Sequence, residues 1–471
     1  MAETKARHIA NLVEDDGDVK SAHLDNITVT PTAVSDQANT STGYLDLPAG
    51  TTAQRPTLNN AGGTRYNSDT GSLEFYDGTN WVATNLIPTI NSITGTIYAG
   101  VSSTLTLSVT NTTSTIDVKY YEGNTLLATE AGRTVSNNSA TSTVPSAVFN
   151  QTAGDTITIQ VLNTDATPSN NINKTVLALP SGGTITPPTN SYNYYVHTFT
   201  QSGTFTNTIN NLSVDYLVIG GGGGGGNRRA GGGGGGGYRC SVTNESSGRG
   251  ASAEPTLTMA GTSSGTAFDI EVGGGGAGST SEHPPGTDGQ PSFIRLQGAG
   301  STYLVYSNGG GGGASANYPT EGAANNGGCG GGAGSAYGNS SRSGGDGTTG
   351  QGYDGGDATG TTNTGAGGGG GAGNHGSAGG TNAGNGGPGV TSSINGTPTG
   401  RAGGGGGGCH TTTIGTGSDG GGDGGKTGGP APTAGVDGKG GGGGGGDDGS
   451  PPGRYGADGG DGIVIMRYQL P

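Results

Sequence analysis

Short alternations of hydrophobic and polar positions run through the first 219 residues, then give way to glycine. Near the start, Ala6, Ile9, Ala10 and Val13 recur at helical spacing and stop at Asp15-Asp16-Gly17. This predicts one short amphipathic helix within residues 1–40. A lone helix of that length is not stable in water, so the segment is expected to dock on a partner. Residues 41–85 contain "GGTRYNSDTGSLEFYDGTNWV", in which the alternating stretch Ser72 to Tyr76 lies between the turn signals Ser68-Asp69-Thr70-Gly71 and Tyr76-Asp77-Gly78-Thr79-Asn80. That pattern predicts a β-meander ending at Trp81-Val82. So small a sheet is not stable as a monomer, and Phe75 or Trp81 is expected to be buried against copies of the chain.

Residues 86–180 are rich in Thr, Ser, Val and Ile. Candidate strands are Thr89 to Ser92, Thr104 to Val109, Ile116 to Tyr121, Thr125 to Thr129, Thr141 to Val144, Thr156 to Leu162 and Lys174 to Leu179, with a tight turn at Glu122-Gly123-Asn124. Strands this short and this regular predict an Ig-like β-sandwich without a cysteine pair or core tryptophan. "SGGTITPPTNS", 181–191, reads as a linker.

The glycine-rich remainder, 192–471, is framed by apolar strands. Residues 192–219, with "DYLVI" at their end, form one side, and "GIVIMRY" within 462–468 the other. Between them, in 220–461, glycine runs recur at Gly220 to Gly226, Gly231 to Gly237, Gly309 to Gly313, Gly367 to Gly371, Gly403 to Gly408 and Gly440 to Gly446. Framing strands that pair with each other argue against a flexible tether. Collagen is excluded by the absence of a strict three-residue glycine period, and pleated glycine strands have no side chains to pack. The remaining geometry is the polyproline II helix, about 3.1 Å per residue, whose backbone must find hydrogen bonds in neighbouring helices. A bundle of such polyglycine II helices is therefore expected, with side-chain-bearing loops at its ends. The fold class is mainly β and irregular: a multidomain elongated fibre with a short N-terminal helix, a β-meander, an Ig-like β-sandwich, and a polyglycine II bundle closed by a small β-sheet.

Two stretches resemble known proteins. The Arg-Tyr-Asn and Tyr-Asp-Gly-Thr-Asn-Trp pieces of 41–85 are similar to a short trimeric β segment of tail fibres and other virion appendages of tailed bacteriophages. "VHTFTQSGTFT", "VDYLVIGGGGGGG" and "GGDGIVIMRY" resemble the glycine-rich domain at the ends of many phage tail fibres and tip adhesins. The resemblance implies a homotrimer that attaches through residues 1–40 to a baseplate, tail or adaptor protein of the virion. It further implies adhesion to a host outer-surface receptor, a polysaccharide or an outer-membrane protein, and hence an extracellular, virion-borne location.

Composition narrows the chemistry. Only 28 % of the 471 residues are hydrophobic and the net charge is −15, which argues against a conventional large core and against nucleic acid as a partner. No apolar run approaches the ~20 residues of a membrane span, and the opening residues do not read as a secretory leader. Cys240, Cys329 and Cys409 lack the paired spacing of a zinc or redox motif and read as small buried or free thiols. Asp15, Asp16 and Asp18 lack the spacing of a calcium loop. No cofactor, metal or nucleophile motif is found, and the chain is read as a non-enzyme. The acid pairs Asp354 with Asp357, Asp419 with Asp423, and Asp458 with Asp461 have the residue type needed for glycoside hydrolysis but read as solvated turn acids.

The side chains between glycine runs are those of adaptable binding loops. Candidate receptor contacts are Asn227, Arg228, Arg229, Tyr238, Arg239, His283, Tyr318, Tyr337, Arg342, Tyr353, His375, Arg401, His410 and Tyr455. Alternatives are a purely structural appendage or decoration protein, with such loops buried between subunits, and a polysaccharide depolymerase, with two acid pairs converging in a groove.

Overall fold

The computed structural model describes residues 47–69, 72–83, 87–163, 168–262, 264–281, 284–316, 323–335, 341–359, 365–449 and 455–471. The helix expected within 1–40 and its aspartates lie outside the described residues. The chain divides into two compact units, Met1–Asn85 and Leu86–Pro471.

In the first unit, β1 (Ala49–Gly50), β2 (Thr64–Asn67), β3 (Ser72–Tyr76) and β4 (Trp81–Ala83) form a four-stranded sheet in that order. The Asp77 carboxylate accepts the N–H groups of Thr79 and Asn80, both at 2.7 Å, which closes the β3–β4 turn. One face of the sheet is polar. Arg65, Asn67 and Glu74 are buried there, with Glu74 accepting from Arg55 and Asn67. Tyr66, Leu73 and Phe75 alternate onto the other face, each about two-fifths exposed within the chain.

The second unit opens with a β-sandwich. Its two sheets are β10 (Ser139–Thr143), β7 (Thr104–Thr110) and β5 (Thr89–Thr94), against β6 (Ile97–Tyr98), β12 (Ile172–Leu177), β11 (Thr156–Leu162), β8 (Thr115–Glu122) and β9 (Thr125–Thr134). Alternate residues such as Leu105, Leu107, Val118, Tyr120, Ile157 and Ile159 fill the space between them. The strands expected from 86–180 are all present, and β6 and a helical turn, Ser146–Phe149, are additional.

Segment 181–191 is not a free linker. β13 (Thr184–Thr186) pairs with β14 (Tyr195–Phe199), and Tyr98, Leu177 and Leu179 join the apolar cluster of the glycine-rich region. Its prolines fall outside the strand, so the backbone remained available to pair. The framing sheet runs β13, β14, β24 (Ile463–Tyr468), β16 (Leu212–Ile219) and β17 (Tyr238–Cys240), with β18 (Leu257–Met259) also on β16. A second sheet, β15 (Gly203–Asn207), β19 (Thr266–Glu271), β20 (Ser292–Leu296) and β21 (Val305–Ser307), shares its core through Phe205, Phe268, Ile270, Ile294 and Val305. The expectation of bundle throughout 220–461 is thus corrected: 238–271 and 292–307 leave it to build β structure. A small hairpin, β22 (Val390–Ser392) and β23 (Thr399–Arg401), interrupts it again.

The glycine segments pack through their backbones with a period of three. Gly221 and Gly224 donate to Gln290 and Thr287, Gly222 and Gly225 to Gly460 and Ala457, and Gly223 and Gly226 to Gly234 and Gly231, all at 2.8–3.0 Å. Their carbonyls accept with the same period, from Gly310 and Gly313, Gly276 and Ser279, and Gly443 and Gly446. Three donor directions and three acceptor directions surround one helix with six neighbours, the arrangement a threefold polyproline II helix permits. Every direction is occupied by backbone: a Cβ at Gly221, Gly222 or Gly223 would strike the carbonyl of Gly274, Gly441 or Gly311 respectively. Only glycine fits in the long runs. Edge helices need it at every third position, as at Gly456, Gly459 and Gly462, and carry side chains between.

Candidate functional site

The helices run alternately away from and back toward the framing sheet, so the bundle has two ends. Helix 220–226 leaves β16 at Ile219 and reaches the far end at Gly226, where Asn227 to Ala230 turn the chain into 231–237. The far end is tied together by polar groups. Asn227 N–H donates to Ser315 Oγ at 2.9 Å, Ala316 N–H to Asn227 O at 3.2 Å, Ser335 N–H to Arg229 O at 2.9 Å, and Arg229 N–H to Asp447 O at 3.1 Å.

Arg228 and Arg229 stand in left-handed backbone, with φ of 68° and 42°. Each such non-glycine residue costs about 1–2 kcal/mol. Glycine abounds in this chain, so the arginines are held there by what their side chains do. Arg228 Nε and Arg229 Nη2 each donate to Asp448 at 2.7 Å. His410 Nδ1 lies 3.6 Å from the same carboxylate, and Thr427 Oγ1 accepts the Asp448 N–H at 3.1 Å. Burial raises the Asp448 pKa, but hydrogen bonds and charge from Arg228 and Arg229 outweigh it and hold the carboxyl below its ordinary value. Arg228 and His410 keep about a third of their side-chain surface open.

The candidates identified in the sequence therefore separate. Asn227, Arg228, Arg229, Arg342, His410 and Tyr455 belong to the far end, and Tyr238, Arg239, Tyr353, His375 and Arg401 to the end that meets the sheet. His283, Tyr318 and Tyr337 lie outside the described residues. Asn227, Arg229, Tyr238 and Arg401 are buried, which corrects their reading as surface contacts. Arg239 is engaged by Glu254 at 2.6 and 2.8 Å. At the sheet end, Arg249 and His375 flank Asp354, with Tyr353 beside the His375 ring at 4.7 Å.

The acid pairs are open to solvent, as expected, with Asp357, Asp419, Asp423 and Asp458 exposed and Asp354 and Asp461 half-buried, but each also accepts a backbone N–H. Asp458 and Asp461 accept the N–H groups of Gly278 and Gly275, Asp354 and Asp357 those of Gly347 and Gly344, and Asp419 and Asp423 those of Gly389 and Gly417, at 2.7–3.0 Å. Asn382 and Asn385 do the same for Thr413 and Thr416. At the edge of the bundle a carboxylate or amide oxygen takes the place of the missing next helix. The three-residue spacing of Asp354 with Asp357, Asp458 with Asp461 and Asn382 with Asn385 was the available signal for this role; Asp419 and Asp423, four apart, lack it. Two surface clefts, one lined by Asp215 and Arg467 and the other by loop 241–256, contain none of these acids. All three cysteines are buried and free, and burial pushes the Cys240 thiol up to about 12.

Two sheets framing a backbone-packed glycine bundle define a glycine-rich domain protein. A family model described as a glycine-rich domain matches residues 199–469, and the chain belongs to that family. No curated protein matches it.

Proposed function

We propose that the chain is a tail-fibre adhesin of a tailed bacteriophage, which attaches the virion to the host surface through loops at the far end of its polyglycine II bundle. The observation that carries this reading is the grouping of Arg228, His410 and Tyr455, distant in sequence, at one end of a scaffold whose opposite end is occupied by the framing sheet. Rigid helices presenting side-chain-bearing loops suit recognition, because binding then orders little that was mobile. The resemblance of 41–85 to virion appendages supports a homotrimer, and the open Tyr66, Leu73 and Phe75 face suits burial against further copies. Residues 1–40 serve as the virion attachment in this reading. Several fibres per particle convert weak tip contacts into avidity.

The test is competition. Purified full-length protein is expected to bind host cells and to block adsorption of the parent particle, and Arg228→Gly with His410→Ala to weaken both while leaving the fold intact. Arg228→Gly suits the left-handed backbone, so a loss reports the two side chains and not backbone strain. Absence of both binding and blocking defeats the adhesin reading. Release of reducing sugar from host polysaccharide would favour a depolymerase instead.

A further inference from the structure

A cleft of about 410 Å³ lies beside the framing sheet, away from the far end, with Tyr194, Asn210, Asn211, Asp215, Arg467 and Gln469 in its lining. Asp215 and Arg467 face each other across β16 and β24. Arg467 Nε donates to Asp215 Oδ2 at 3.0 Å, Nη2 lies 2.9 Å from the same oxygen, and Nη1 donates to Tyr192 Oη at 2.9 Å. The guanidinium also lies 4.3 Å from the Tyr194 ring centre. Four contacts fix it.

A guanidinium has five N–H donors and a carboxylate two acceptor oxygens. Among the described residues, one N–H on each Nη of Arg467 and the whole of Asp215 Oδ1 are left without a partner. These side chains retain 11 % and 14 % of their surface. A donor and an acceptor thus stand side by side on a frame that cannot rotate away, at the wall of an open cleft. The pair is electrically balanced, so an anion meets Asp215 and a cation meets Arg467, and neither is favoured. Adjacent hydroxyls of a sugar ring satisfy both groups at once, since each hydroxyl donates and accepts. The amides of Asn210, Asn211 and Gln469 add donors and acceptors around the rim, and Tyr194 supplies an apolar surface for ring C–H groups. The volume falls within the range of small-ligand sites.

We infer that this cleft is a binding site for a neutral pyranose, held through vicinal hydroxyls by Asp215 and Arg467. It is separate from the far-end loops and stands whether or not those loops bind a receptor.

The test is saturation-transfer NMR on the full-length protein with the methyl pyranosides of glucose, galactose, mannose and rhamnose, and with methyl glucuronide as the charged probe. Transfer to the ring protons of at least one neutral glycoside is expected. Asn211→Gly, compatible with the left-handed backbone there (φ 54°), removes one rim amide and is expected to weaken binding about five-fold, as is Tyr194→Leu. Arg228→Gly should leave it unchanged. Absence of transfer from all four neutral glycosides overturns the assignment. So does transfer undiminished in both cleft variants, and tighter binding of the glucuronide overturns the neutral class.

Discussion

Gly225 shows what one residue does in this protein. An added methyl there would meet the carbonyl of Gly444, and neither backbone can withdraw without breaking hydrogen bonds to its own neighbours. Overpacking of a tight interior costs about 1–3 kcal/mol, occasionally more. At Gly380, on the bundle edge, the nearest atom to such a methyl is Thr359 Oγ1 at 3.9 Å. Thermal unfolding is therefore expected to show Gly225→Ala several degrees below the parent and Gly380→Ala within about a degree of it. Equal midpoints for the two variants would contradict a backbone-packed interior. The need for glycine was legible from the seven-residue runs, but which direction each glycine faces was not, because glycine offers no side-chain pattern to read.

The edge helices carry the structural logic that sequence reading missed. An acid every third residue appeared to be a turn feature because each Asp sits beside glycines; in the fold, the same period places Asp458 and Asp461 on one face, against the N–H groups of Gly278 and Gly275. Replacing both with Ala is expected to speed amide exchange at Gly275 and Gly278 about five-fold, for a net hydrogen bond of ~1 kcal/mol. Replacing both with Asn, which keeps an acceptor oxygen, should leave exchange near the parent rate. Unchanged exchange in the Ala variant would mean that the carboxylates do not close the edge. The sandwich strands were legible because their alternation is undiluted, whereas β19 to β21 were hidden by the polar and glycine-rich loops that separate them.

Across the second unit, His197 joins three parts of the chain. Its ring is buried on β14, with Nδ1 2.7 Å from the Gly182 carbonyl and Nε2 3.3 Å from the Tyr468 hydroxyl of β24. A carbonyl can only accept, so Nδ1 carries the proton and Tyr468 donates to Nε2. Burial lowers the His197 pKa, and the Gly182 bond offsets only part of that effect. The unfolded histidine takes up a proton below about pH 6.5 while the folded one does not. Its contribution is therefore complete above that value, and stability declines as pH falls toward the lower folded pKa. Denaturant unfolding at a series of pH values should show this decline, and His197→Gln should flatten it. An identical slope in the variant would remove His197 as the cause.

By itself, the sequence determined that the segments 72–76, 86–180 and 192–219 alternate into β structure, that the glycine runs adopt extended threefold helices, and that only a dense bundle can satisfy their amides. Those conclusions follow from residue type and backbone stereochemistry, which are local. Tertiary structure alone decided which helix neighbours which, which loops share an end, and that Asp215 meets Arg467 beside an open cleft. The reason is physical: backbone hydrogen bonds between glycine helices are chemically alike, so their partners are selected by where the framing sheets and chain turns hold the ends.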